Sequence, residues 1–162
     1  MQNEKVKVLL RDAGPDDEAF LLAVYASTRI HELEGLGWSD DQKQAFIRMQ
    51  FLARERPHPQ ADNQIILLDG RPVGRMLVER SETAILLRDI ALLTEYRNAG
   101  IGSSLIQELM EEAASAGKSI ELHVVASSPA VRLYERLGFR RSDTEAAYQT
   151  AYLEMKWVPA TS

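Results

Sequence analysis

The run Ile85-Leu86-Leu87-Arg88-Asp89-Ile90-Ala91-Leu92-Leu93 constrains this chain more than any other stretch. Apart from Arg88 and Asp89 it is apolar throughout, which is the pattern of a central strand covered on both faces. Directly after it come Glu95-Tyr96-Arg97-Asn98-Ala99-Gly100-Ile101-Gly102-Ser103-Ser104 and an amphipathic segment, Ile101 to Ala114. Strand, glycine-containing turn and helix start, in that order, build an anion site. Glycines let backbone come close to a ligand, and the first N–H groups of the helix point at whatever sits there. A phosphorylated ligand is the expected occupant.

The turn is not one of the common nucleotide loops. No Gly-Lys-Ser/Thr follows it, so a Walker-type loop is excluded. The dinucleotide fingerprint needs a third glycine, and Leu105 stands at that position. That fingerprint also needs an early βαβ unit, whereas this turn lies two-thirds along the chain.

Periodicity and turn chemistry order the remaining elements. Val6 to Arg11 reads as a strand, and Gly14-Pro15-Asp16-Asp17 as the turn into a helix with acids in its first turn. Phe20, Leu21, Val24 and Ile30 give that helix an apolar face. Gly35-Leu36-Gly37-Trp38 breaks it. Ser39, with Gln42 three residues on, is a capping box for a second helix. That helix runs through Phe46, Met49 and Leu52 to about Arg56, and Pro57-His58-Pro59 ends it. Asn63 to Leu68, Asp69-Gly70 and Arg71 to Arg80 read as a hairpin, and Ala84 to Leu93 as its neighbouring strand.

In the helix after the glycine turn, Leu105, Ile106, Leu109, Met110 and Ala113 face the core, and Gly117 ends it. Ile120 to Ala126 is a strand. Ser128-Pro129 opens a short helix with Ala130, Leu133, Tyr134 and Leu137 on one face, ended by Gly138. Phe139 to Asp143 and Tyr148 to Trp157 are closing strands. The order β-α-α-β-β-β-α-β-α-β-β predicts an α/β fold of α+β type, a largely antiparallel mixed sheet with helices on both faces. One domain over residues 1–158 is expected, with a flexible tail at 159–162.

Composition narrows the function classes. The chain has 162 residues, 45% hydrophobic and 27% charged, which suits one soluble domain with a proper core. No run of about 18 apolar residues predicts a membrane span. The polar start Met1-Gln2-Asn3-Glu4-Lys5 lacks a signal-peptide core, so a cytoplasmic location is expected. The net charge of −5 argues against non-specific nucleic-acid binding. Without cysteine there is no thiolate nucleophile and no Cys-ligated zinc. His31 and His58 lack ligand spacing, so no metal is expected.

A second segment refines the phosphate reading. Ser127-Ser128-Pro129-Ala130-Val131-Arg132-Leu133-Tyr134-Glu135-Arg136-Leu137-Gly138-Phe139 follows about 30 residues after the turn. Together the two stretches resemble the GNAT (GCN5-related) N-acetyltransferase family. That family carries Arg/Gln-x-x-Gly-x-Gly/Ala after its fourth strand, matched here by Arg97, Gly100 and Gly102. Its later Asn-x-x-Ala-x-x-Leu-Tyr-x-x-x-Gly-Phe segment is matched by Ala130, Leu133, Tyr134, Gly138 and Phe139. Ser127 departs from the family, which often has Asn there to hold the pantetheine arm. The match covers residues 84 to 140 well and the rest by element order.

The resemblance implies an acetyl-CoA-dependent N-acetyltransferase acting by direct attack in a ternary complex on a small-molecule or peptide amine. The alternative on the same fold is a non-catalytic acyl-CoA sensor or interaction module. Many relatives form homodimers. By resemblance, the backbone of Arg97, Asn98, Ala99, Gly100, Ile101, Gly102 and Ser103 cradles the CoA pyrophosphate. The Arg97 side chain either adds charge there or is a surface residue at the turn. Leu92, Leu93 and Thr94 bind the pantetheine arm through main chain, with an N–H near Leu92 polarising the thioester carbonyl. Tyr134 corresponds to the family's general acid, and a pKa near 10 keeps it protonated at neutral pH.

Other residues rest on their own pattern. Asp89 interrupts an apolar strand, so its carboxylate is paired or faces a cleft. It is read as a base or water relay, a substrate anchor or a structural partner. Strand alternation puts Arg88 on the opposite face. His123 interrupts the next strand and reads as a hydrogen-bonded core residue or a proton carrier. His31, Glu32 and Glu34 read as a solvated helix end or as an amine-site lining.

Overall fold

In a computed structural model the described residues are 7–54, 61–126, 128–141 and 152–160. Strands β1 (Val8–Asp12), β2 (Ala61–Leu68), β3 (Arg71–Arg80), β4 (Ala84–Leu92), β5 (Ser119–Val125), β6 (Arg140–Arg141) and β7 (Tyr152–Trp157) form one sheet in the order β1-β2-β3-β4-β5-β7-β6. The helices are α1 (Glu18–Arg29), α2 (Asp40–Arg54), α3 (Ile101–Ala116) and α4 (Ala130–Arg136). The element order is the one the sequence predicts. The sheet is open and mostly antiparallel, with β4 and β5 parallel.

Local chemistry explains the element ends. Asp69 and Gly70, between β2 and β3, both have positive φ, at 50° and 83°. That pair of conformations makes a tight hairpin whose twist matches its strands. Before α2, the Ser39 N–H donates to Gln42 Oε1 at 2.9 Å and the Gln42 N–H to Ser39 Oγ at 3.2 Å. This is the expected reciprocal capping box. The Arg11 guanidinium and the Gly14 N–H both reach the Asp17 carboxylate, before α1, at 2.7–2.9 Å.

Two compact units divide the chain. The first holds residues up to Met76 together with Ile90–Asn98. Its core joins Leu21 and Tyr25 of α1, Leu33, Ile47 and Phe51 of α2, and Ile65 of β2. Tyr25 and Phe51 meet with ring centroids 5.9 Å apart. The buried side of α2 is thus Ile47 and Phe51, whereas Met49 and Leu52 are 59% and 50% exposed. Ile47 and Phe51, four residues apart, share one face of the helix, Phe46 packs at the edge of the same core, and Met49 and Leu52 lie well round from them.

The second unit holds Leu77–Asp89 and the chain from Ala99 onward. Ile101, Leu105, Ile106, Leu109 and Ala113 are buried on α3, while Met110, expected with them, is half-buried. Ile120, Leu122 and Val124 are buried on β5, and His123 and Val125 on its other face are exposed. On α4 the buried residues are Val131 and Tyr134. Ala130, Leu133 and Leu137 are half-buried, so Val131 replaces them as the inward anchor. The Arg80 guanidinium grips Glu112 of α3 through two bonds of 2.6 and 2.8 Å, which holds the Glu112 carboxyl below its ordinary range.

Candidate functional site

The glycine turn begins where β4 ends. Leu93 has φ −58° and ψ 149°, and a single 3-10 turn, Thr94–Tyr96, follows. The N–H groups of Tyr96 and Arg97 donate to the carbonyls of Leu93 and Thr94. Asn98 then takes a left-handed φ of 61° and Gly100 one of 83°. Gly100 is the residue from which α3 starts. At that φ a glycine is the low-cost choice.

The start of α3 is open to an anion. Gly100 offers no side-chain cap, and the first turn carries no acidic residue. The first helical bond runs from the Ser104 N–H to the Gly100 carbonyl at 3.0 Å. The N–H groups of Ile101, Gly102 and Ser103 therefore have no acceptor inside the helix. Gly102 is the telling position. Its φ is not in the left-handed region, and a Cβ built there meets nothing within 4 Å. Neither backbone conformation nor packing asks for glycine, and a helical glycine costs about 1 kcal/mol against alanine. The free space fits a group that lies against the backbone from outside, such as a diphosphate.

The end of β4 is held from two sides. A Cβ on Gly74 of β3 would lie 2.3 Å from the Ala91 carbonyl and 3.1 Å from Leu92 Cα. The Leu93 N–H donates to the Val73 carbonyl at 2.9 Å. The Arg97 side chain is neither exposed at the turn nor pointing outward. It is half-buried, with Nε–H donating to the Leu92 carbonyl at 3.0 Å and Nη2 to Ser27 Oγ at 3.4 Å. Sequence reasoning missed both Gly74 and this use of Arg97. An isolated glycine in a strand was the available signal for a close backbone approach. Nothing local marks the acceptor of an arginine that lies in another element.

Register gives a further feature of β4. Its pairing with β5 covers Ala84–Leu87 against Ser119–Leu122, while β4 itself runs on to Leu92. The strand edge beyond Leu87 lies outside that ladder. An extended ligand can add to such an edge through main-chain bonds.

Tyr134 and Asp89 come together electrostatically. Tyr134 is 7% exposed. Its ring packs on Phe139 at 5.6 Å between centroids, and the Phe139 N–H closes the end of α4 on the Tyr134 carbonyl at 2.9 Å. Burial, and then the charge of Asp89, push its hydroxyl up from 10.0 to about 12. Asp89 is half-buried, and Arg88 beside it is exposed and pairs with Glu79 at 3.2 Å. The alternation expected from the strand holds.

The other candidates separate from this pair. His123 is exposed on β5, opposite Glu154 in the ladder, so the core reading of it does not hold. Glu32 pairs with Arg29 at 3.3 Å on the solvated end of α1. Thr94 is exposed. Ser127, His58 and the side chain of His31 lie outside the described residues. Among the described residues no three His, Asp or Glu side chains are grouped to hold a metal, and no helix is long and apolar enough to cross a membrane.

A family model described as an acetyltransferase (GNAT) domain matches residues 61–141, half of the chain. The chain belongs to the GNAT acetyltransferase family. The match takes in the β2–β3 hairpin, β4, the glycine turn, α3, β5 and α4. Among curated GNAT relatives, a protein called probable N-acetyltransferase camello, from Xenopus tropicalis, is 30% identical over 62% of this chain and 49% of its own length. An N-alpha-acetyltransferase from Sulfurisphaera tokodaii is 36% identical over 38% of this chain and 44% of its own. The chain thus spans about half the length of the curated relatives it matches. The GNAT fold recurs in the crystal structure of PaiA N-acetyltransferase from Thermoplasma acidophilum in complex with coenzyme A. That likeness has a TM-score of 0.69 at 18% identity and covers 94% of this chain and 99% of that one.

Proposed function

We propose that the protein is an acetyl-CoA-dependent N-acetyltransferase that acts on a primary amine by direct attack in a ternary complex. The observation that carries this reading is the α3 entrance, an uncapped, acid-free helix start with glycine at a position where the fold has no use for it. On this reading the backbone from Asn98 to Ser103 holds the CoA pyrophosphate. Leu92, Leu93 and Thr94 hold the pantetheine arm along the edge of β4 beyond its ladder with β5, with Ser127 taking the place of the family's asparagine. When bound, the cofactor supplies an acetyl group already activated as a thioester.

The chain's own groups then move protons. Tyr134 holds its proton firmly, since a hydroxyl pushed up to about 12 is a donor at any physiological pH. Its Oη is the proposed source of the proton for the departing sulfur. Asp89 is the proposed base, directly or through water, for the incoming ammonium. The two are coupled. A carboxylate at Asp89 raises the Tyr134 hydroxyl, so a proton arriving at Asp89 makes Tyr134 the stronger acid. Base action thereby prepares the acid step. We place the enzyme in the cytoplasm and treat residues 1–158 as one functional domain.

The test is release of free CoA from acetyl-CoA across a panel of small amines, amino acids and peptide N-termini. Turnover on one acceptor class, lost in Tyr134→Phe, supports the enzyme. Micromolar CoA binding without turnover on any acceptor supports the acyl-CoA sensor instead. No rise in melting temperature at saturating CoA removes both.

A further inference from the structure

We propose that Arg97 is a positioning residue that locks the last peptide of β4, and that its side chain is not a counter-charge for the cofactor's phosphates. The inference rests on reading the β4 end as the seat of the thioester arm.

The peptide unit joining Leu92 to Leu93 is fixed at both of its polar ends. Its carbonyl, on Leu92, accepts from Arg97 Nε–H at 3.0 Å. Its N–H, on Leu93, donates to the Val73 carbonyl at 2.9 Å. A peptide held at both ends cannot rotate, so the groups beside it keep one direction. Charge-assisted bonds from a guanidinium are among the stronger ones available. The arginine is itself anchored. Ser27 Oγ gives its proton to the Val24 carbonyl at 2.7 Å, which leaves lone pairs turned to Arg97 Nη2 at 3.4 Å. The line Val24 carbonyl, Ser27 hydroxyl, Arg97 guanidinium, Leu92 carbonyl ties α1 to the end of β4. A guanidinium committed to two protein acceptors, half-buried and turned back from the turn it belongs to, is poorly placed to meet a diphosphate. Lysine cannot substitute, because its donors all sit on one nitrogen, whereas this arrangement uses two separate nitrogens of a planar fork.

Three variants decide the matter: Arg97→Lys, Arg97→Ala and Ser27→Ala. The first readout needs no cofactor. Hydrogen exchange of the Leu93 amide in the free protein should accelerate about tenfold or more in Arg97→Lys and Arg97→Ala, in line with loss of a charged hydrogen bond. Ser27→Ala removes only the longer anchor, so it should move the same amide in the same direction by a smaller factor. It also serves if the Arg97 variants do not fold. The second readout compares acetyl-CoA with S-acetylpantetheine, which lacks the pyrophosphate. A lock predicts that each variant loses the same factor in kcat with both donors, and that calorimetric affinity for CoA changes less than kcat does. The proposal is overturned if Leu93 exchange is unchanged in all three variants. It is equally overturned if Arg97→Lys behaves as wild type while Arg97→Ala weakens CoA alone and spares S-acetylpantetheine. Failure of the wild-type protein to bind CoA would end the cofactor reading, and the exchange measurement would still decide the lock.

Discussion

Replacing Gly74 with alanine probes how closely β3 sets the end of β4. A Cβ there would sit 2.3 Å from the Ala91 carbonyl oxygen, 2.8 Å from Leu92 Cδ2 and 3.1 Å from Leu92 Cα. Real Cβ atoms essentially never come within 3.0 Å of another group, so backbone must give by at least about 0.7 Å. Overpacking of this kind costs about 1–3 kcal/mol. The alanine also stiffens the unfolded chain, which returns about 0.4–1 kcal/mol. The net expectation is a loss of about 1–2 kcal/mol, or a melting temperature lower by roughly 2–8 °C for a chain of this size. Of the displaced groups, Leu92 is one assigned to the thioester arm, and Ala91 directly precedes it. A shift approaching 1 Å there should reduce kcat by about 10²-fold even under conditions where the variant is fully folded. Urea unfolding gives the first number, and initial rates at saturating acetyl-CoA the second. Stability within about 0.5 kcal/mol of wild type, together with unchanged turnover, would show that β4 has slack the structure denies it.

Gly102→Ala should be neutral or slightly stabilising, by up to about 1 kcal/mol, because the position is helical and faces open space. Gly102→Leu should fold equally well yet lose CoA affinity by an order of magnitude or more in calorimetry; retained affinity would move the cofactor away from α3. Tyr134→Phe should lower kcat by about 10²–10⁴-fold with CoA affinity changed less than about threefold, and unchanged turnover would remove Tyr134 from the chemistry. Asp89→Asn should lower the Tyr134 hydroxyl from about 12 while leaving it above 10, since burial is the larger cause. An NMR titration of Tyr134 that is indifferent to the substitution would break the proposed coupling. Asp17 sits at about 2, below its ordinary 3.8, chiefly through the Arg11 hydrogen bond. A carboxyl depressed by folding adds stability above its unfolded value and loses it as pH falls through its folded value. The acid limb between about pH 4 and 2 should therefore be shallower in Asp17→Asn, and an identical limb would refute the pairing.

The sequence alone determined whatever depends on neighbours along the chain. Asp69-Gly70 made a turn with two positive φ angles, and Ser39 with Gln42 made its capping box, because these bonds close within three residues. The apolar run before Arg97 made a strand, and the two glycines marked the entrance of α3, for the same reason. The alternation that sends Arg88 outward and keeps Asp89 half-buried was also local. What depended on partners far along the chain was decided only in three dimensions. Apolar residues lie all round α2, and packing buried Ile47 and Phe51 on one side and left Met49 and Leu52 outside. His123 read as a core residue or a proton carrier, and only the fold showed its side of β5 to be exposed. Arg97 looked like a turn residue, and the carbonyl of Leu92 and the hydroxyl of Ser27, 70 positions away, gave its guanidinium a task. Gly74 carried no visible requirement until the Ala91 carbonyl lay against it. A hydrogen bond or a close contact is a relation between two groups, and the sequence names each group without saying which others the folded chain brings to it.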